Sequence, residues 1–160
     1  MKFKSFALGL MLCLISILTF GCASSLEDSV VGVYTIQKYV CSVGGSQYSY
    51  TLNEANSIIQ AELPENATSK QQADFNIKLV NDVYKNLKLS FDKDFKLRSY
   101  NENDEVTSIS DWALEESVIV VSTGIEGDVD TRYAFDKESL TITYSSESEG
   151  MRIELILKKQ

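Results

Sequence analysis

Histidine is absent from this chain of 160 residues, and its absence excludes several kinds of catalytic site. Ser-His-Asp and Cys-His catalysis need an imidazole as the general base, and histidine-rich zinc sites need it as a ligand. The chain also lacks a glycine-rich phosphate-binding loop. We therefore expect a protein that is not an enzyme and that carries no metal or other cofactor.

Basic residues are also in short supply. The chain has 15 lysines and arginines against 23 aspartates and glutamates, which gives a formal net charge of −8 at pH 7. Nucleic acids and anionic lipid head groups are bound by basic surfaces. The acidic balance therefore predicts that no nucleic acid is a partner.

The first 22 residues have the layout of a bacterial secretory signal. Lys2 and Lys4 form a short cationic start, and an uncharged apolar run follows from Phe6 to Phe20. This run is shorter than the roughly 20 residues that a membrane-spanning helix needs. Gly21 then precedes Cys22, an ending typical of lipoprotein signals. An ordinary cleaved signal followed by a chance cysteine is the alternative.

This layout predicts how the chain is processed and where it resides. We expect residues 1–21 to be a signal peptide that is removed, residues 22–29 to be a tether, and residues 30–160 to form one domain. Lipid chains on Cys22 would anchor the protein stably to a membrane. Ala23 rather than an aspartate follows the cysteine, and in this the chain resembles sorted lipoproteins, which implies the outer membrane. Both its periplasmic and its surface side stay open.

The three cysteines leave no pair for a disulfide within the domain. Cys13 lies in the predicted signal and Cys22 is the predicted lipid attachment site, so Cys41 is the one remaining thiol. Because Cys41 ends an apolar, strand-like run, we expect a buried structural thiol rather than a nucleophile.

Strand-like segments follow one another at short intervals through most of the domain. Alternation of apolar and polar residues is clearest over 140–144 and 151–158, where it indicates strands with one buried face. Together with β-branched and aromatic enrichment, the pattern predicts strands at 30–41, 47–51, 89–91, 95–100, 105–114, 118–123, 129–135, 140–144 and 151–158.

Two predicted helices interrupt the strands. The first is brief, over 53–60, and the second runs over 68–87 with Thr68 or Ser69 as its N-cap. The apolar residues of the second helix recur at spacings that keep one face apolar. They are Phe75, Leu79, Val80, Val83, Tyr84 and Leu87.

Eight or nine short strands with short connections predict a mainly β fold. An antiparallel, up-and-down, eight-stranded barrel with an inserted helix near 68–87 fits this order, and closure disposes of exposed strand edges. A two-sheet sandwich is the alternative.

Short motifs along the chain resemble those of the lipocalin-like lipoproteins of Gram-negative bacteria. The motifs are Val31-Gly32-Val33-Tyr34, Leu89-Ser90-Phe91-Asp92 with Phe95, Asp111-Trp112-Ala113-Leu114 leading into Val118-Ile119-Val120, Tyr133-Ala134-Phe135, Leu140-Thr141-Ile142, and Glu154-Leu155-Ile156-Leu157-Lys158-Lys159. The resemblance implies an eight-stranded calyx with an apolar interior.

An apolar calyx predicts a candidate ligand site inside the barrel. Trp112 is the single tryptophan, and it belongs either to the core or to a cavity wall. The predicted wall consists of Trp112, Leu114, Tyr133, Phe135, Ile142, Tyr144, Ile153 and Leu155. Barrels of this size can fill their interior or hold one small ligand, and the sequence leaves both outcomes open.

Two functions follow as expectations. In the first, a membrane-anchored lipocalin-like lipoprotein binds a small hydrophobic ligand in the cell envelope without catalysis, in a cavity of at least a few hundred Å³. In the alternative, the barrel surface or the inserted helix contacts another envelope protein as a structural or interaction module.

Overall fold

The computed structural model describes residues 25–59, 62–122, 129–148 and 150–160, which form a closed antiparallel barrel with three helices. The predicted signal peptide and Cys22 lie outside the described residues. The helices are α1 (Leu26–Val30), α2 (Leu52–Asn56) and α3 (Ser69–Tyr84). The strands are β1 (Gly32–Val43), β2 (Ser46–Thr51), β3 (Lys88–Phe91), β4 (Lys96–Tyr100), β5 (Val106–Glu115), β6 (Val118–Ser122), β7 (Thr131–Asp136), β8 (Thr141–Ser148) and β9 (Met151–Lys159).

Eight of the nine strands close the barrel. From β3 to β9 each strand pairs with the next along the chain, and β1 joins the two ends by pairing with both β3 and β9. The prediction of a mainly β, up-and-down, eight-stranded barrel with an inserted helix is confirmed. The two-sheet sandwich is excluded, because no break divides this sheet.

Strand β1 is longer than its neighbour β3, and β2 pairs with the part of this edge of β1 that extends beyond β3. Residues 32–35 of β1 pair with β3, whereas residues 38–43 pair with β2 on the same edge. Strand β2 is therefore an addition to the barrel wall, and it has β1 as its one strand partner among the described residues.

Helix α1 covers the floor of the barrel, which is the end where β1 begins. Ser25 and Asp28 form a capping box that starts the helix. The Tyr34 hydroxyl donates to the Val30 carbonyl at 2.9 Å, and the Lys159 ammonium donates to the Ser29 carbonyl at 3.1 Å. Part of the predicted tether is thus helical and is attached to the barrel.

Aromatic rings fill the floor. Tyr34 packs edge-on against Phe91 at 5.5 Å between ring centroids, and Phe91 packs the same way against Trp112 at 5.6 Å. Phe95 adds a tilted contact with Trp112 at 5.2 Å. Such pairs each contribute about 0.5–1.5 kcal/mol beyond their buried area. The floor is therefore a packed core.

Helix α3 lies near the opposite end, the mouth, where it packs against β1, β2 and α2. Thr68 caps it, as predicted, in a reciprocal pair with Gln71. Three residues at helical spacing, Ala73, Ile77 and Asn81, are buried.

The buried face of α3 differs from the face that the apolar spacing predicts. Leu79 is 51% exposed and Val83 is 72% exposed, whereas the polar Asn81 is buried. The reason is a hydrogen-bond chain that starts at a buried hydroxyl: the Tyr39 hydroxyl donates to Asn81 Oδ1, and Asn81 Nδ2 donates to Asn56 Oδ1, both at 2.9 Å. A buried hydroxyl requires a partner, and Asn81 supplies it.

The helices also differ from the prediction at their ends. The predicted helix over 53–60 ends at Asn56, and the helix over 68–87 ends at Tyr84. Among the described residues, no helix is both long enough and apolar enough to cross a membrane.

Removing the Asn81 amide should loosen α3 from the barrel. In an Asn81→Ala variant the buried Tyr39 hydroxyl loses its acceptor, so we expect the free energy of unfolding to fall by about 1–3 kcal/mol. Urea denaturation measures it. The control is Asn76→Ala, whose amide donates to the Gln72 carbonyl of the same helix; it should cost less than about 1 kcal/mol. Equal losses would contradict this role of Asn81.

Candidate functional site

The barrel interior near the mouth is built from one row of neighbouring strands. Tyr133 of β7 lies opposite Tyr144 of β8, which lies opposite Leu155 of β9, and Leu155 lies opposite Tyr39 of β1. Because side chains alternate between the two faces of a strand, residues that are directly paired in this way point to the same side. The row therefore forms one inner belt.

Above the packed floor this belt borders a cavity of about 200 Å³, which we call the mouth cavity. Strands β7 to β9 supply most of its wall, and the end of α3 with the residue before β3 supplies the rest. It is lined by Tyr84, Leu87, Thr131, Tyr133, Tyr144, Leu155 and Leu157. No lining residue carries a formal charge at neutral pH.

The electrostatics of the mouth cavity favour neutral groups. Burial raises the pKa of Tyr133 to about 12, and the neighbouring hydroxyls of Tyr144 and Tyr84 act in the same direction. The rings of Tyr133 and Tyr144 contact each other with centroids 5.8 Å apart. The cavity thus offers aromatic faces and neutral hydroxyl groups, which suit an apolar molecule with at most one polar group.

The structure divides the predicted wall residues between two places. Tyr133, Tyr144 and Leu155 line the mouth cavity. The other five do not line it. Trp112, Phe135, Ile142 and Ile153 are buried in the core, and Leu114 is partly buried against that core. Trp112 therefore has the position of a core residue, one of the two alternatives that the sequence leaves open.

Four lining residues are absent from the sequence-based set. Leu157 lies two residues after Leu155 on β9 and therefore on the same face, so strand periodicity could have predicted it. Thr131 likewise precedes Tyr133 by two positions on β7. Tyr84 and Leu87 could not be found in this way, because they reach the cavity only through the docking of α3.

Cys41 is a structural thiol. It is free and fully buried on β1, opposite Ile153 of β9. Burial raises the pKa of its thiol, which keeps the thiol protonated and unreactive at neutral pH. The prediction of a buried structural cysteine is confirmed.

Comparison with known proteins adds no relative to this picture. No family model, curated protein or solved structure matches the chain. The fold is thus established from the chain's own structure, and the resemblance to lipocalin-like lipoproteins stays a prediction.

Buried tyrosines should make the fold sensitive to alkaline pH. Burial raises the pKa of Tyr34, Tyr39 and Tyr133 to about 12 from the usual tyrosine value of 10. Their contribution to stability is complete below pH 10 and is lost as the pH rises towards 12, because the unfolded chain releases these protons first. We expect the midpoint of urea unfolding to fall over this interval.

A Tyr133→Phe variant is the control for this pH dependence. Phenylalanine cannot ionise, so the variant should lose less stability than the parent protein over the same pH range. A midpoint that stays constant from pH 9 to pH 12 would contradict the assignment.

Proposed function

We propose that this protein is a lipid-anchored, lipocalin-like lipoprotein of the cell envelope that binds a small apolar ligand without catalysis. The observation that carries the proposal is the mouth cavity of about 200 Å³. It is smaller than the few hundred Å³ that the sequence predicted, since aromatic side chains fill the floor. A dry apolar cavity of about 150 Å³ already binds benzene. The proposed ligand is therefore about the size of a single ring or a short alkyl chain.

The position of residues 25–30 supports an anchored arrangement. The first described residues, Ser25 to Val30, lie at the floor, whereas the cavity is lined by Tyr84 of α3, the helix at the mouth. Two residues separate Cys22 from Ser25, so the chain between them spans about 10 Å at most. Lipid on Cys22 would hold the floor near the outer membrane and leave the mouth free to exchange ligand.

Filling the mouth cavity should abolish binding. Thr131 lines the cavity, so the ring introduced by Thr131→Phe would occupy the ligand's space. The matched control is Thr143→Phe. Thr143 lies between the inward-facing Ile142 and Tyr144 on β8, and its side chain therefore points outward.

Native mass spectrometry of the full chain, purified in detergent from its own cells, measures this effect. We expect a noncovalent apolar mass on the parent protein and on Thr143→Phe, and none on Thr131→Phe. If all three proteins carry no added mass, or if all three carry the same one, the proposed function is wrong.

A further inference from the structure

The outer edge of β2 has main-chain hydrogen-bonding groups that no other strand of the described residues uses. Gly44 and Gly45 form a two-residue turn with φ of +58° and +76°, which is typical of a tight hairpin. Val43 and Ser46 are paired on either side of this turn, and the residues that flank a two-residue hairpin loop form a hydrogen-bonded pair. Ser46, Tyr48 and Tyr50 therefore direct their main-chain groups to β1, because hydrogen-bonded and non-hydrogen-bonded pairs alternate along antiparallel strands. Gln47 and Ser49 therefore direct theirs away from the barrel.

The residue at the end of β2 agrees with this assignment. The main-chain N–H of Thr51 donates to the Glu54 carboxylate at 2.7 Å and is not used by β1. Thr51 follows Gln47 and Ser49 at two-residue spacing, so its main-chain groups point in the same direction as theirs. The outward N–H of Thr51 is thus bonded to Glu54 of α2. Gln47 and Ser49 have no strand partner on this side among the described residues.

A groove of about 820 Å³ runs beside this edge. Four consecutive residues of β2, 47–50, line it, which indicates that the main chain borders the groove, because a single face of a strand would contribute only alternate residues. The opposite wall is made by α2, by the following residues Ser57 to Ile59, and by Lys70 and Asp74 of α3. We call it the β2 groove.

The polar side chains of α3 that border the β2 groove already have partners. The Tyr50 hydroxyl donates to Asp74 Oδ1 at 2.9 Å, and Asp74 also pairs with Lys70. The Lys70 ammonium lies 4.9 Å from the centroid of the Tyr50 ring. These contacts fix the wall. The main-chain groups of Gln47 and Ser49, which have no strand partner in the described part of the chain, are available for an occupant to bind.

The composition of β2 does not protect this edge. Exposed edge strands usually carry lysine, proline or a bulge that prevents pairing, and residues 46–51 contain none of these. Ile59, which is 92% exposed at the opposite wall, offers an apolar contact to an occupant. An alternating donor–acceptor edge facing an apolar side chain suits an extended peptide.

We propose that the β2 groove binds one extended segment of a partner protein as an added β-strand. Because α2 and α3 line the groove together with β2, we take its occupant to be a single strand rather than the sheet of a second barrel. Because the chain is strongly acidic, the segment is uncharged or basic. The alternative function predicted from the sequence is contact with another envelope protein through the barrel surface, and the β2 groove would be the site of that contact. The proposal does not depend on a ligand in the mouth cavity.

The test uses a capped hexapeptide of alternating threonine and valine with a terminal lysine, added to the isotope-labelled full chain in detergent micelles. We expect amide hydrogen exchange at Gln47 and Ser49 to slow by about tenfold or more, since each amide gains a hydrogen bond. A peptide methylated on alternate main-chain nitrogens keeps its side chains but loses donors. It should bind at least about tenfold more weakly.

Two substitutions at one position complete the test. Ser49→Pro removes the outward N–H, which β1 does not use, and should abolish peptide binding. Ser49→Ala keeps the N–H and should bind as the parent does. Hydrogen bonding between main-chain groups depends little on the side chains of the added peptide, so the model peptide is a sufficient probe. The proposal is therefore overturned if millimolar peptide leaves both amides unprotected, if Ser49→Pro binds normally, or if the edge pairs with a second copy instead.

Discussion

The pairing of β1 along both of its edges is the constraint on which the rest of the structure depends. One edge joins β9 and closes the barrel, and the other joins first β3 and then β2. A bulge at Gln37, where the register with β9 shifts, lets both Ile36 and Tyr39 face inward although they are three residues apart. Tyr39 can then reach Asn81, and this hydrogen bond fixes α3 at the mouth.

This arrangement divides the interior into two parts with different roles. At the floor, Tyr34, Phe91 and Trp112 are buried beside α1 and pack edge to face. Towards the mouth, the wall from β7 to β9 is bordered by Tyr84 and Leu87, which leave the mouth cavity unfilled. The interior of an eight-stranded barrel can be filled by side chains or can hold one small ligand. The size and position of the inward-facing side chains determine which of the two occurs at each level.

The strands could be predicted from the sequence because each one carries its own alternation or its own β-branched and aromatic residues. The cavity could be predicted only in part. Tyr133, Tyr144 and Leu155 follow from strand periodicity, whereas Tyr84 and Leu87 depend on how α3 docks. That docking is decided by the buried hydroxyl of Tyr39, a tertiary contact to Asn81 that apolar spacing along the helix does not encode. Leu79 and Val83, which belong to the apolar face predicted from spacing, are therefore exposed.

The most direct test of a ligand-binding mouth cavity is methyl NMR of the full chain during titration with benzene. Benzene is small enough for the cavity and has no polar group that could bind elsewhere by hydrogen bonding. The account predicts saturable shifts at the methyl groups of Leu87, Leu155 and Leu157, and none at Leu89 and Leu97, which do not line the cavity. Unchanged methyl resonances throughout, or equal shifts at all five leucines, would contradict it.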